Sequence, residues 1–291
     1  MEQAGSRDIH MLEKIDRCDP ELQQAKVREY FDYDSSRFAA NRWLGSWVAK
    51  EDYRVTKDYI LHLLDIEGTD DVLEVGCGPG VWTDLVSSCC HHVTAVDLSG
   101  DMLENARSRV ARRNVTFRQA DFADYQDTET YDKILSVRAI EYFADPAQAV
   151  RSMYALTKDG GRTVVITKTH PTLIAVRAGI WRRLRGLLRA GHRAESEPAP
   201  PMRKIQPFRL RRMFLECGYR NVDVYPVVLR SPLFIHGRYS LPWFGERTRE
   251  SYEAFMLRFL ARVAASAKSK PKLLRYILLM FSETYLIVGE K

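Results

Sequence analysis

Three glycines at alternate positions, Gly76, Gly78 and Gly80 in DVLEVGCGPGVWT (71–83), follow an apolar run carrying one carboxylate, Glu74, and lead into a helical pattern. Without a Cβ, such a turn reaches positive φ and lets a ligand lie against backbone N–H groups at a helix N-terminus. Two phosphate-binding loops can be compared with it. A Walker loop needs G-x-x-x-x-G-K-[ST], but no Lys follows Gly80; a dinucleotide fingerprint needs G-x-G-x-x-G, whereas the spacing here is G-x-G-x-G. Asp97 ends the next apolar run, 17 residues after Gly80. A carboxylate there is placed to accept from a ribose diol lying across the carboxyl ends of neighbouring strands. Cys89-Cys90-His91-His92 has the residue types of a metal site but not the geometry, because successive residues on an extended chain face opposite ways. The five cysteines (Cys18, Cys77, Cys89, Cys90, Cys217) lack CxxC spacing and read as reduced thiols. No metal is expected.

The elements that must carry these residues follow from periodicity. Residues 21–65 mix charged and aromatic residues at helical spacing and predict two or more helices. Short apolar runs then alternate with amphipathic segments. Strands are expected at 71–76, 92–98, 115–121, 131–137 and 161–169, with helices in GVWTDLVSSC, SGDMLENARSRVAR and DPAQAVRSMYALTKDGG. Ser99 caps the second helix, and Asp145-Pro146 opens the third. Strand and helix alternating about every 20 to 25 residues imply a parallel sheet with right-handed crossovers, that is, a doubly wound α/β core over roughly 65–170. After Thr169 the rhythm breaks. A helix and strand return in QPFRLRRMFLECGYRNVDVYPVVL, a second helix-rich insertion occupies about 231–275, and ETYLIVGEK reads as a last strand.

A 291-residue chain with 45% hydrophobic and 28% charged residues can bury a sizeable core, which excludes disorder as the default. The net charge of +6 favours anionic surfaces without naming one. No run of eighteen apolar residues occurs, and the charged start MEQAGSRDIHMLEKIDRCDPE lacks a signal-peptide core, so a cytoplasmic protein is expected.

The motifs VLEVGCGPGVWT, VTAVDLSGDMLENAR, RQADF, YDKILSVRAIEYFADP and LTKDGGRTVVIT, in this order over roughly 71–167, resemble the class I S-adenosylmethionine-dependent methyltransferases, and YLIVGEK looks like that family's final antiparallel strand. The resemblance covers about a third of the chain. It implies a Rossmann-like, mostly parallel seven-stranded sheet with N-terminal helices and helical lid insertions. The chain would then divide into an N-terminal helical cap (1–64), a cofactor-binding core (65–170), a basic lid insertion (171–205) and the end of the sheet (206–291). S-adenosyl-L-methionine is the implied cofactor. Gly76, Gly78 and Gly80 would pass beneath its methionine and ribose, with Glu74 near the amino acid end. Asp97 would hold the ribose hydroxyls, Leu98 and Met102 would flank the adenine, Asp121 would accept from the adenine amino group, and Phe122 would wall the ring. Val137 and Arg138 would face the methionine end and the substrate. Tyr30, Tyr33 or Trp47 are candidates to cover the site.

Methyl transfer from a sulfonium is an in-line displacement with an activated donor, so alignment and water exclusion do most of the work. A hydroxyl acceptor must still lose a proton. Arg138, Glu141, Tyr142 and His170, near the carboxyl ends of the fourth and fifth strands, are the candidates to serve it. His170 is favoured because a neutral imidazole accepts a proton near neutral pH.

Residues 173–189 put Leu173, Ile174, Val176, Ile180, Trp181, Leu184, Leu187 and Leu188 on one helical arc, with Arg182, Arg185 and Arg189 opposite, Arg183 flanking the arc and Arg177 intruding into it. Such a helix either lies on an anionic membrane or packs as a lid. Tyr252, Phe255, Met256, Phe259, Leu260 and Val263 form a second amphipathic stripe that covers the active-site end or packs on the core. These surfaces favour a bulky hydrophobic or amphiphilic small-molecule acceptor over a protein; the leading reading is a methyltransferase acting on an oxygen of a lipid-linked, isoprenoid, polyketide or glycosylated metabolite. An RNA methyltransferase using the arginine-rich insertion is the second reading; SVRAIEYF lacks the Pro-Pro-aromatic motif of many nucleic-acid amine methyltransferases, and nucleic acid is not the expected partner. A non-catalytic assembly partner stays open as a third, and a NAD-dependent enzyme is disfavoured by the glycine spacing.

Overall fold

The computed structural model describes residues 20–169, 202–229 and 246–291. His170, the amphipathic run 173–189, most of the lid insertion and the 231–245 part of the second insertion lie outside the described residues.

Five apolar runs form parallel strands: β1 (Asp71–Val75), β2 (His92–Asp97), β3 (Val115–Gln119), β4 (Tyr131–Val137) and β5 (Thr157–Lys168). With β6 (Arg220–Leu229) and β7 (Ser282–Glu290) they make a seven-stranded sheet in the order β3-β2-β1-β4-β5-β7-β6, β7 running antiparallel to both neighbours. Alternation along the strands feeds two cores. Val72, Leu135, Val137, Val164 and Ile166 face one apolar cluster, and Leu73, Val75, Ile134 and Val165 the other. Both faces are covered, which is why these strands read as continuous apolar runs rather than as polar-apolar alternation.

The helices follow their expected signals. After α1 (Pro20–Ala39), a π-helical turn (Ala40–Leu44) and α2 (Trp47–Leu64), the crossovers are α3 (Val81–Val86), α4 (Gly100–Arg109) and α5 (Pro146–Leu156). Ser99 Oγ accepts from Met102 N at 3.1 Å, and Asp145 accepts from Ala147 N and Gln148 N, so both expected caps form. α5 ends earlier than its sequence suggests. Thr157–Gly160 enter β5, with Thr157 opposite Tyr131 and Gly160 at φ 79°.

α6 (Pro207–Cys217) precedes β6, where Pro226 is accommodated because β6 is an edge strand. α7 (Glu246–Ser266) packs on the core through Leu260, Ala261, Val263 and Ala264, and Tyr59 Oη donates to the Ala264 carbonyl at 2.6 Å. The aromatic stripe does not set its phase: Phe255 and Phe259 are 64% and 50% exposed. α8 (Lys272–Leu279) leads into β7. Among the described residues no helix is long and apolar enough to cross a membrane.

Candidate active site

Strand order reverses between β1 and β4, and open parallel sheets place a crevice at that point, outside the carboxyl ends of the strands. A cleft of about 820 Å³, its open mouth included, lies there. The glycine loop forms its floor. Gly76 N and Cys77 N both donate to the Val96 carbonyl, at 2.8 and 3.0 Å, stitching β1 to β2 as the chain leaves the sheet. Gly76 sits at φ 73°, and a Cβ there would meet Ala139 Cβ at 2.3 Å. Gly80 sits at φ 75°, where a Cβ would press on Ala106 at 3.0 Å. Only glycine suits either position.

Asp97 lines the cleft and ties the loop to the next helix: Oδ2 accepts from Gly78 N at 2.7 Å and Oδ1 from Ser99 N at 3.0 Å. Burial raises its carboxyl, against the opposing pull of the Ser99, Gly78 and Leu98 amides. Ser99 Oγ in turn donates to Asp32 of α1, fastening the N-terminal helix over this end. Leu98, Met102, Asp121, Phe122 and Val137 also line the cleft, and Asp121 Oδ1 accepts from Ala123 N at 2.9 Å. Phe122 stacks on Tyr125, with ring centroids 5.8 Å apart, which holds it as a flat wall. Burial keeps Cys77 well above the ordinary thiol value, so it is no nucleophile.

Glu74 is not among the cleft-lining residues. It is buried beneath the loop and accepts from Thr83 Oγ1 at 2.6 Å, anchoring the first turn of α3. Burial pushes its carboxyl up to about 8, against the Thr83 hydrogen bond and with help from the Asp97 charge. The ordinary value is 4.5. Between those two pH values the folded chain keeps a proton that the unfolded chain has released, so stability falls as pH rises through that window, by roughly 3 kcal/mol by pH 7. Glu74→Gln keeps an acceptor for Thr83 and is expected to flatten this slope. Urea melts at pH 5 and pH 7 measure it, and equal slopes in both proteins would exclude Glu74 as the cause.

At the other end Arg138 and Glu141 form a pair rather than two free groups. Arg138 follows β4 at φ 62°, a left-handed conformation costing a non-glycine residue about 1–2 kcal/mol. It is held there by its N–H to the Ile166 carbonyl (2.7 Å) and by Nε to Glu141 Oε1 (2.6 Å). Burial works against the Arg138 charge, but the Glu141 carboxylate more than offsets it and holds the guanidinium above its ordinary pKa. Glu141, expected to stand at the acceptor, is fully buried behind Arg138 in the turn Ile140–Tyr142, and its Oε2 accepts from Thr167 Oγ1 at 2.6 Å. Both carboxylate oxygens are therefore occupied. Arg138 itself lines the cleft, as does Tyr142. Burial, with the Glu141 charge next, raises the Tyr142 phenol, which therefore stays protonated.

The cover differs from expectation. Tyr33 is 83% exposed and Tyr30 packs edge-on against Phe31, while the side chain of Trp47 lies outside the described residues. The residues over the cleft are Gln24, Val27, Phe31 and Phe38 of α1, with Trp43 from the π-helical turn. Phe31 meets Tyr142 edge-on at 5.0 Å, and Trp43 meets Trp82 edge-on at 4.9 Å. The spacing 24, 27, 31, 38 was the available signal.

Residues 72–161 match the family model of a methyltransferase domain. A 2-methyl-6-phytyl-1,4-hydroquinone methyltransferase of Oryza sativa subsp. japonica is 36% identical over 115 residues, 38% of this chain and 35% of that protein. A ubiquinone biosynthesis O-methyltransferase of Xanthomonas oryzae pv. oryzae is 28% identical over 147 residues, 47% of this chain and 60% of that protein. The chain spans from about a third to just under two thirds of the length of the curated relatives it matches. The magnesium protoporphyrin IX methyltransferase of Synechocystis PCC 6803 with bound SAH superposes with a TM-score of 0.56 at 12% identity, over 92% of this chain and 99% of that one, a likeness of fold. The match over 72–161 makes this a chain that carries a methyltransferase domain, and its sheet order and motif order are similar to those of the class I S-adenosylmethionine-dependent family.

Proposed function

We propose that the protein is an enzyme that uses S-adenosyl-L-methionine to methylate an oxygen of a bulky hydrophobic or amphiphilic small molecule. The observation that carries this reading is the cleft's lining: two carboxylates, Asp97 and Asp121, flank apolar walls from Leu98, Met102 and Phe122, and the lining continues into an aromatic cover of Phe31, Phe38, Trp43, Tyr142 and Phe143. The cofactor supplies an activated methyl group on sulfur.

In this reading the loop 76–80 lies beneath the ribose and methionine, Asp97 exchanges an amide partner for the ribose hydroxyls, and Asp121 accepts from the adenine amino group beside Phe122. Glu74 acts from beneath by holding the loop and α3. The names of the two relatives, a phytyl hydroquinone methyltransferase and a ubiquinone biosynthesis O-methyltransferase, support an apolar acceptor, and the second alone supports oxygen as the atom.

Calorimetric titration with S-adenosylmethionine, S-adenosylhomocysteine and NADH tests the reading. Micromolar binding of the two sulfur nucleosides is expected, and no measurable NADH binding. Asp97→Ala removes a charged hydrogen-bond acceptor and is expected to weaken that binding by about 10- to 100-fold. Preference for NADH, or no nucleoside binding, would overturn the assignment.

A further inference from the structure

Resting on that reading, we infer that the acceptor carries an anionic oxygen, a carboxylate or an ionised hydroxyl, which Arg138 receives. The side chain of Arg138 is 8% exposed and lines the cleft, yet its Nη2 is buried with no hydrogen-bond partner among the described residues. A buried guanidinium N–H without an acceptor is costly, and an oxygen entering the cleft removes that cost.

The surrounding charge decides which kind of oxygen. Glu141 pairs with Arg138, and Lys168 pairs with Glu283 at 3.4 Å. Arg42 adds a third cation: it stands over the Phe38 ring at 5.1 Å, and its charge reaches Tyr142 and Lys168. Within this cluster three cations stand against two carboxylates, one positive charge in excess; the cleft's other carboxylates, Asp97 at the end of β2 and Asp121 after β3, lie on the far side of β1 from Arg138. The cofactor's sulfonium adds another positive charge. A neutral acceptor would satisfy Nη2 and leave that excess; an anionic one satisfies both.

The chemistry agrees. An oxygen that arrives ionised uses its own electron pair to form the bond to the methyl carbon while the carbon–sulfur bond breaks toward sulfur. Anion and sulfonium become a neutral ester or ether and a neutral thioether, and no proton has to be removed. Among the described residues no cleft-lining group is a free base: Asp97 and Asp121 accept from backbone amides, and Tyr142 stays protonated. Glu141 is the positioning residue, occupying Nε so that Nη2 is left for the ligand.

The test uses the full chain saturated with S-adenosylhomocysteine, with 2-naphthoate and 2-naphthamide as matched probes. Trp43 and Trp82 line the cleft and report occupancy by fluorescence. Naphthoate is expected to bind at least tenfold more tightly than naphthamide. In Arg138→Gln/Glu141→Gln, which removes the pair without leaving either charge buried alone, the preference should fall to about one, with S-adenosylhomocysteine affinity unchanged within twofold. Arg138→Lys, which keeps the charge, should retain part of it. Equal binding of the two probes by the wild type would overturn the inference. So would loss of S-adenosylhomocysteine affinity in the double variant, since Arg138 would then serve the cofactor's carboxylate. Failure of the wild type to bind S-adenosylhomocysteine at all would instead remove the methyltransferase reading beneath it.

Discussion

Glu141→Ala is expected to destabilise the protein by about 3–5 kcal/mol, the range for breaking one side of a buried ion pair. The carboxylate is wholly inaccessible and fills two roles, accepting from Arg138 Nε and from Thr167 Oγ1, each at 2.6 Å. Removing it strands a guanidinium in a site built for a neutral pair and frees the turn Ile140–Tyr142 that carries Tyr142 into the cleft wall. The double variant Arg138→Gln/Glu141→Gln removes both charges and should lose less than the sum of Arg138→Gln and Glu141→Gln, by at least about 1 kcal/mol of coupling. Urea denaturation of the wild type, the singles and the double measures this, and strict additivity would show that the pair is not a unit.

Gly76→Ala is expected to cost a similar amount, for a steric reason. The left-handed backbone contributes about 1–2 kcal/mol, and the overlap of the new methyl with Ala139 Cβ at 2.3 Å adds about 1–3 kcal/mol. Gly78 separates the two contributions: its φ is also positive, at 52°, but a Cβ there meets nothing within 4 Å. Gly78→Ala should therefore lose only the backbone part, and Ala139→Gly should restore part of the loss in Gly76→Ala. Thermal melts of the four proteins decide the matter; equal losses at positions 76 and 78 would mean that the contact with Ala139 carries no weight.

Much of the core was legible because its determinants are local. The runs 71–75, 92–97 and 131–137 are apolar enough to be covered on both faces, and Ser99 and Asp145 announce helix starts through short-range hydrogen bonds. What was hidden depends on partners distant in sequence. The start of β5 at Thr157 reads as a helix end because TKDGG has turn chemistry, and its pairing with Tyr131 decides otherwise. The phase of α7 was legible only in part: Leu260 and Val263 of the stripe reach the core, but the contact is completed by Ala261 and Ala264, whose value is close approach rather than apolar bulk. In α1 charged and aromatic residues are mixed, so only the spacing 24, 27, 31, 38 sets Phe31, which covers the cleft, apart from Tyr33, which faces water. In the site, the residue types around the glycine loop pointed to a nucleoside, whereas the role of Glu141 was obscured. Opposite charges three residues apart were visible; that both would be buried was not.

β7 lies between β5 and β6, yet it is made after both, and this fixes an order of events during synthesis. While β1 to β5 emerge from the ribosome they can assemble with their crossovers, each new strand finding a neighbour already in place. β6 cannot, because its only strand neighbour among the described residues is β7 and the chain from Leu229 to Ser282 must be translated first. Through that interval Arg162–Lys168 of β5 present an open edge, the kind of template on which nascent chains aggregate. Completion of the sheet is thus delayed until Ser282–Glu290 slide between two waiting strands.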